Sequence, residues 1–186
     1  MLIHAGDFTF FSRRRSQIRD FNEWLGELPH AYKVVVPGNH EYALEADRRM
    51  RDAISNAVLL IDGGIEIAGV KVWGSPVTPL YGGAFGILKS EDRKRHWAQV
   101  PDGTDILITH GPPYGVLDTA LGSQHNEGCP ELLEAVLRVT PRLHVFGHCH
   151  GAYGVLRTKH TLFVNAALFG QAGDLDKPPM VIELNR

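Results

Sequence analysis

Residues 34–41 read Val34-Val35-Val36-Pro37-Gly38-Asn39-His40-Glu41, and this stretch decides the fold. A β-branched run with no polar position is the pattern of a strand covered on both faces. Pro37 and Gly38 stop it, and polar residues follow at once. The same order recurs downstream. Ile106-Leu107-Ile108 runs into His110-Gly111-Pro112-Pro113, and Val145-Phe146 runs into Gly147-His148-Cys149-His150. Near the start, Leu2-Ile3-His4-Ala5 runs into Gly6-Asp7. Open α/β sheets bind ligands in the crevice outside the carboxyl ends of their strands. The four termini are therefore expected to converge on one crevice.

The converging side chains share a chemistry. A carboxylate (Asp7), an amide oxygen (Asn39) and imidazoles (His110, His148, His150) suit borderline divalent metals such as Mn, Fe, Zn or Ni. Two such ions a few ångströms apart hold a phosphate and activate water. A single Gly-Asp after a strand is ordinarily only a turn. Its joint occurrence with Gly-Asn-His-Glu and Gly-His-x-His, each after an apolar run, is what turns alone do not explain. The glycines before Asp7, Asn39 and His148 permit sharp bends that aim side chains into a cleft.

Bulk properties narrow the class. The chain has 186 residues, 44% of them hydrophobic and 22% charged, which fits one domain over 1–186 with a real core. A net charge of -2 offers no global basic field, so a nucleic-acid polymer is not an expected partner. A small phosphorylated substrate needs only local positive charge and stays open. Two cysteines make no disulfide framework, and a cytoplasmic location is expected. No apolar run is long enough to span a bilayer, and residues 1–7 lack the look of a signal peptide, so no membrane association is expected.

Periodicity supplies the elements. Ile18, Phe21, Trp24, Leu25 and Leu28 predict a helix over 16–28 with one buried stripe. Further helices are expected over 44–54, over 90–98 with Ser90 as N-cap, and over 130–139 with Pro130 in the first turn. Strands are expected over 32–36, 58–61, 65–68, 70–73, 105–109, 143–146, 154–156, 162–165 and 180–184, with a hairpin at Ala68-Gly69. Strand–helix alternation followed by hairpins predicts an α/β fold of two mixed sheets packed face to face, with helices outside.

At these motifs the sequence resembles the calcineurin-like metallophosphoesterases, and most nearly their small metallophosphoesterase-domain-containing subgroup. Residues 3–9, 74–76, 109–113, 143–148 and 163–166 carry phrases similar to that subgroup's. The resemblance implies a four-layer α/β/β/α sandwich and metal-dependent hydrolysis of phosphate esters, with cyclic nucleotides as substrates and Mn or a similar ion. It implies that Asp7 bridges two ions, that Asn39, His110 and His148 complete one ion's shell, and that His150 serves the other. It implies that His40 contacts the phosphate as a general acid, with Glu41 orienting it. His125 and Asn126, in a Gly-rich loop, are candidate substrate contacts.

One departure sets a further expectation. The family pattern begins with an Asp-x-His motif one strand earlier, and Met1 lies inside the strand that carries Asp7. Taken as given, the chain is expected to be an N-terminally truncated domain with its first strand missing. It is then expected to hold one complete and one half-built metal site, and to expose a sheet gap through which copies associate. A catalytically impaired metal-binding sensor or scaffold is the competing function.

Overall fold

The computed structural model describes residues 1–11, 14–79, 81–170 and 175–184. In chain order the elements are β1 (Leu2–His4), α1 (Arg15–Glu27), β2 (Lys33–Val35), α2 (Tyr42–Ala46), α3 (Arg48–Arg51), β3 (Val58–Leu59), β4 (Gly63–Ile67) and β5 (Val70–Ser75). Then come α4 (Ser90–Trp97), β6 (Ile106–Thr109), α5 (Pro130–Val139), β7 (Leu143–Phe146), a 3₁₀ turn (His150–Ala152), β8 (Gly154–Arg157) and β9 (Leu162–Asn165).

Among the described residues the strands form two sheets. The smaller runs β1-β2-β3 and is parallel. The larger runs β4-β5-β6-β7-β9-β8, parallel at its centre with antiparallel outer pairs β4–β5 and β8–β9. Among the described residues β1 pairs only with β2, so its other side is a sheet edge.

Three apolar cores define four layers. Between the sheets, Val34 and Val36 meet Val72, Ile106, Ile108, Val145 and Val164. Strand alternation sends Leu107, Phe146 and Phe163 to the opposite face, where they pack on Trp97 of α4 and Leu132 and Val136 of α5. On the outer face of the small sheet, Val35 packs with Ile18 and Leu25 of α1 and Leu44 of α2. The expected α/β/β/α sandwich is the observed one; β1 and β2 are parallel in the small sheet and β6 and β7 in the large one, and the residues that follow these four strands meet.

Several local expectations need correction. The helix expected over 44–54 is split at Asp47, whose extended backbone (φ -135°) and side chain, accepting from the Arg49 amide at 2.9 Å, make it a fresh N-cap. Ser90 is inside α4 rather than its cap, and its hydroxyl donates to Glu131 instead. Trp24 is 42% exposed, stacked on the rim at Phe21 rather than buried with Ile18 and Leu25. Residues 180–184 form no strand. Met180, Ile182 and Leu184 rest on the inter-sheet core, so the alternation reflects packing without a ladder. The hairpin at Ala68-Gly69 is present, with both residues at positive φ as a tight primed turn requires.

Candidate metal centre

Asp7 follows β1 through a bend that few sequences permit. Gly6 has φ 101° and Asp7 φ 58°. The carboxylate is held from two sides: Oδ1 accepts the His40 amide at 3.0 Å, and Oδ2 lies 3.3 Å from His110 Nε2. Burial by itself would raise this carboxyl's pKa, but the His110 imidazole and the His40 amide outweigh it and hold Asp7 well below the usual carboxylate range.

His110 leaves β6 buried, with Nδ1 2.8 Å from the Ala5 carbonyl. That carbonyl can only accept, so Nδ1 carries the proton and Nε2 faces the crevice. There Nε2 meets Asn39 Oδ1 at 2.9 Å and His148 Nδ1 at 3.2 Å. Asn39 Oδ1 is also 3.1 Å from His148 Nδ1. His148 reaches this point through a left-handed backbone (φ 63°) just past β7. Burial pushes its pKa down to about 3, which keeps it neutral as a ligand must be. Burial also lowers His110, but the Asp7 charge outweighs it and raises that imidazole.

Glu41 ties the two sheet-end turns together. Its fully buried carboxylate accepts from the amides of Asp7 (2.8 Å), Thr9 (2.9 Å) and Gly38 (2.6 Å), and from the Thr9 hydroxyl (2.9 Å). Burial, with Asp7 adding to it, raises the carboxyl's pKa against those four donors. These bonds fix the backbone that presents Asp7. The donors that Glu41 collects come from Asp7, Thr9 and Gly38, and the His40 ring is not one of them. Gly38 is obligatory here, because a Cβ would lie inside the Asp7 carboxylate and the His110 ring.

The other candidates are placed as follows. His40 stands beside the cluster through its amide bond to Asp7, with its ring against Phe11. His150 lies on the 3₁₀ turn with its ring on Phe169 at 5.9 Å, outside the group formed by Asp7, His110 and His148, whose ligand atoms lie within 4.8 Å of one another. His125 and Asn126 are exposed on the loop before α5, where the His125 amide bonds Ser123 and Asn126 bridges Thr119. Of the Arg13–Arg15 run, Arg13 lies outside the described residues and Arg15 opens α1. His4 accepts the Gly6 amide at 3.2 Å among Phe8 and Phe21, so it packs internally.

Two further residues complete the surroundings of the site. Thr9 is the second anchor for Glu41. Tyr81 stacks on His148 at 4.2 Å and 15°, and its hydroxyl donates to the Glu127 carbonyl. With Ala120, Glu127 and Cys149 these rings line a cavity of about 340 Å³. The Gly-aromatic run over 81–86 has the composition of a flexible lid. Instead Ala84 donates to the Asn39 carbonyl (2.9 Å) and Phe85 to Glu45 (2.6 Å), so the loop braces Asn39.

The donor set fits a divalent cation. Bonds of about 2.1 Å meeting near right angles put neighbouring donors about 3 Å apart. Asn39, His110 and His148 lie 2.9–3.2 Å from one another, and Asp7 lies 3.3 Å from His110. The fold and this site define a two-sheet sandwich with a candidate metal centre at its strand ends.

The chain belongs to the calcineurin-like phosphoesterase family, whose sequence profile matches residues 1–152. That family is one of divalent-metal-dependent phosphoester hydrolases. Metallophosphoesterase domain-containing protein 1 of Homo sapiens is 38% identical over 210 residues, a match spanning 99% of this chain and 64% of that protein. The chain thus spans a little under two thirds of that relative's length. A UPF0046 protein of Caenorhabditis elegans is 38% identical over 196 residues, covering 97% of this chain and 67% of that one. The solved structure of TT1561 of Thermus thermophilus shares the fold, with a TM-score of 0.60 at 16% identity, over 94% of this chain and 76% of that one. Among the described residues no helix is long and apolar enough to cross a membrane.

Proposed function

We propose that this chain hydrolyses small phosphodiesters, cyclic nucleotides among them, with Mn as the working ion. The observation that carries the reading is the gathering of Asn39, His110 and His148 donors at 2.9–3.2 Å, with Asp7 3.3 Å from His110 and His40 alongside. A divalent ion held there supplies Lewis-acid charge to the phosphoryl oxygens. The protein's own residues do the rest. The His40 amide holds Asp7 Oδ1, and in this reading its imidazole protonates the departing oxygen. Glu41 keeps Asp7 and Gly38 in register, and Tyr81 walls the site at His148.

A second reading is a metal-binding sensor or scaffold with weak or no turnover. Among the described residues one group of three such side chains, Asp7, His110 and His148, gathers around a single position, and this favours it, because one ion is then expected rather than two. Hydrolysis of bis-p-nitrophenyl phosphate with added Mn separates the two. In the enzyme, His40→Ala lowers kcat by about 10²- to 10⁴-fold while Mn still binds by calorimetry. A rate unchanged by that substitution, or no hydrolysis by the Mn-loaded chain, supports the scaffold.

A further inference from the structure

Phe10 and Phe11 are adjacent aromatic residues that the three cores do not use. Phe10 is 80% exposed and Phe11 45% exposed. Their neighbour Phe8 behaves quite differently, stacking on Phe21 at 3.9 Å against the outer face of the small sheet. A lone exposed aromatic is common. This pair differs in three ways. Phe11 sits at φ 47°, a left-handed backbone that a bulky residue adopts only under constraint and that clusters at functional sites. Its ring lies against the His40 ring at 3.8 Å and 34°. Phe10 stands edge-on to both rings, at 5.1 Å from Phe11 and 5.8 Å from His40.

The base of this aromatic cluster is anchored. Thr9, the residue before Phe10, is bonded to Glu41 through both its amide and its hydroxyl. His40, on the other side, is bonded through its amide to Asp7. An exposed, two-ring surface is thus fixed beside the imidazole placed at the leaving oxygen. With His40 as the general acid, a planar ring carried by the leaving group comes within reach of Phe10 and Phe11, and offset or edge-to-face packing of such rings is favourable.

We propose that Phe10 and Phe11 form a stacking platform for a planar aromatic ring carried by the substrate's leaving group, the base of a cyclic nucleotide included, so that the site prefers phosphoesters bearing such a ring over purely alkyl ones. The proposal rests on the phosphodiesterase reading. Phe11 also covers one face of His40 and restricts its ring, whereas Phe10 meets the substrate with most of its surface.

The test uses the Mn-loaded chain and two non-hydrolysable probes, phenylphosphonate and methylphosphonate, with affinities read by calorimetry. Phenylphosphonate is expected to bind about tenfold tighter, the scale of one ring stacked on an aromatic side chain. Phe10→Leu keeps an apolar group but removes the ring, and it brings the ratio of the two affinities close to one. Phe10→Trp keeps the ratio or raises it. Phe10 is on the surface, so the melting temperatures of both variants are expected to match the parent. Equal affinity for the two probes in the parent, or a ratio that Phe10→Leu leaves unchanged, overturns the platform alone. If Mn binds and neither phosphonate does, the phosphoesterase reading falls and the platform falls with it.

Discussion

Asp7 depends on contributions from two distant parts of the chain: the His40 amide and Glu41 carboxylate of one turn, and the His110 imidazole. Its charge is what attracts a cation into a crevice otherwise built of neutral donors. Asp7→Asn is expected to weaken Mn binding by at least about 100-fold, since a charged donor is replaced by a neutral one; titration calorimetry measures it. Gly38→Ala is expected to do comparable damage without touching a ligand, because its Cβ displaces both Asp7 and His110. It should lower stability and Mn affinity together. The two thiols carry the opposite message. Burial pushes Cys129 up to about 11 and Cys149 up to about 12, so both stay protonated. Neither is expected to react with a thiol reagent until the chain is unfolded, and reaction of the native protein within minutes contradicts this.

At the scale of elements, α4 and α5 are strapped together on the outer face of the large sheet. Arg93 on α4 forms a two-pronged pair with Glu131 on α5 (2.8 and 3.0 Å) and also donates to the carbonyls of Ile87 and Leu88. Both side chains are mostly buried. Removing one partner of such a pair strands a charge, so Arg93→Ala is expected to cost about 3 kcal/mol in urea unfolding. The pair also sets a pH dependence. Burial opposes the Glu131 charge, but Arg93 and Ser90 win and bring its pKa from 4.5 down to about 2. A depressed carboxyl stabilises the fold fully above its unfolded pKa and loses that contribution as pH falls through the folded one. The parent is therefore expected to lose this increment between pH 4.5 and 2. The stability curve of Glu131→Gln should be flatter over the same window.

At the scale of the whole molecule, the metal donors come from the ends of β1, β2, β6 and β7, so both sheets contribute to one centre. A bound ion fastens the two sheets at that end. Mn at about 100 times its dissociation constant is expected to add about 2.7 kcal/mol, or roughly 5–10 °C in melting temperature for a domain of this size. A chelator should return the melting temperature to the metal-free value, and an Asp7→Asn chain should show no shift with either addition.

How much of this was legible beforehand differs by feature. The four strand ends were readable because apolar runs and their polar stops are local signals. The order of those ends along the chain also placed Asp7, Asn39, His110 and His148 on one crevice, because parallel strands bury both faces and leave only their carboxyl ends for ligands. The break at Asp47, the exposure of Trp24 and the missing strand over 180–184 were not readable. Each turns on which neighbour supplies a cap, a cover or a ladder. Glu41 shows the limit clearly. The family resemblance implied that it orients the His40 ring, but its carboxylate collects amides 34, 32 and 3 residues away. The sequence by itself determined which residues end the strands, and hence the family and the chemistry of the donors. Only the tertiary structure decided which donors meet at about 3 Å, the spacing a metal ion needs, that His150 stands apart, and that Phe10 and Phe11 face outward beside His40. Donor type is a property of a residue, whereas spacing is set by two sheets packed against each other.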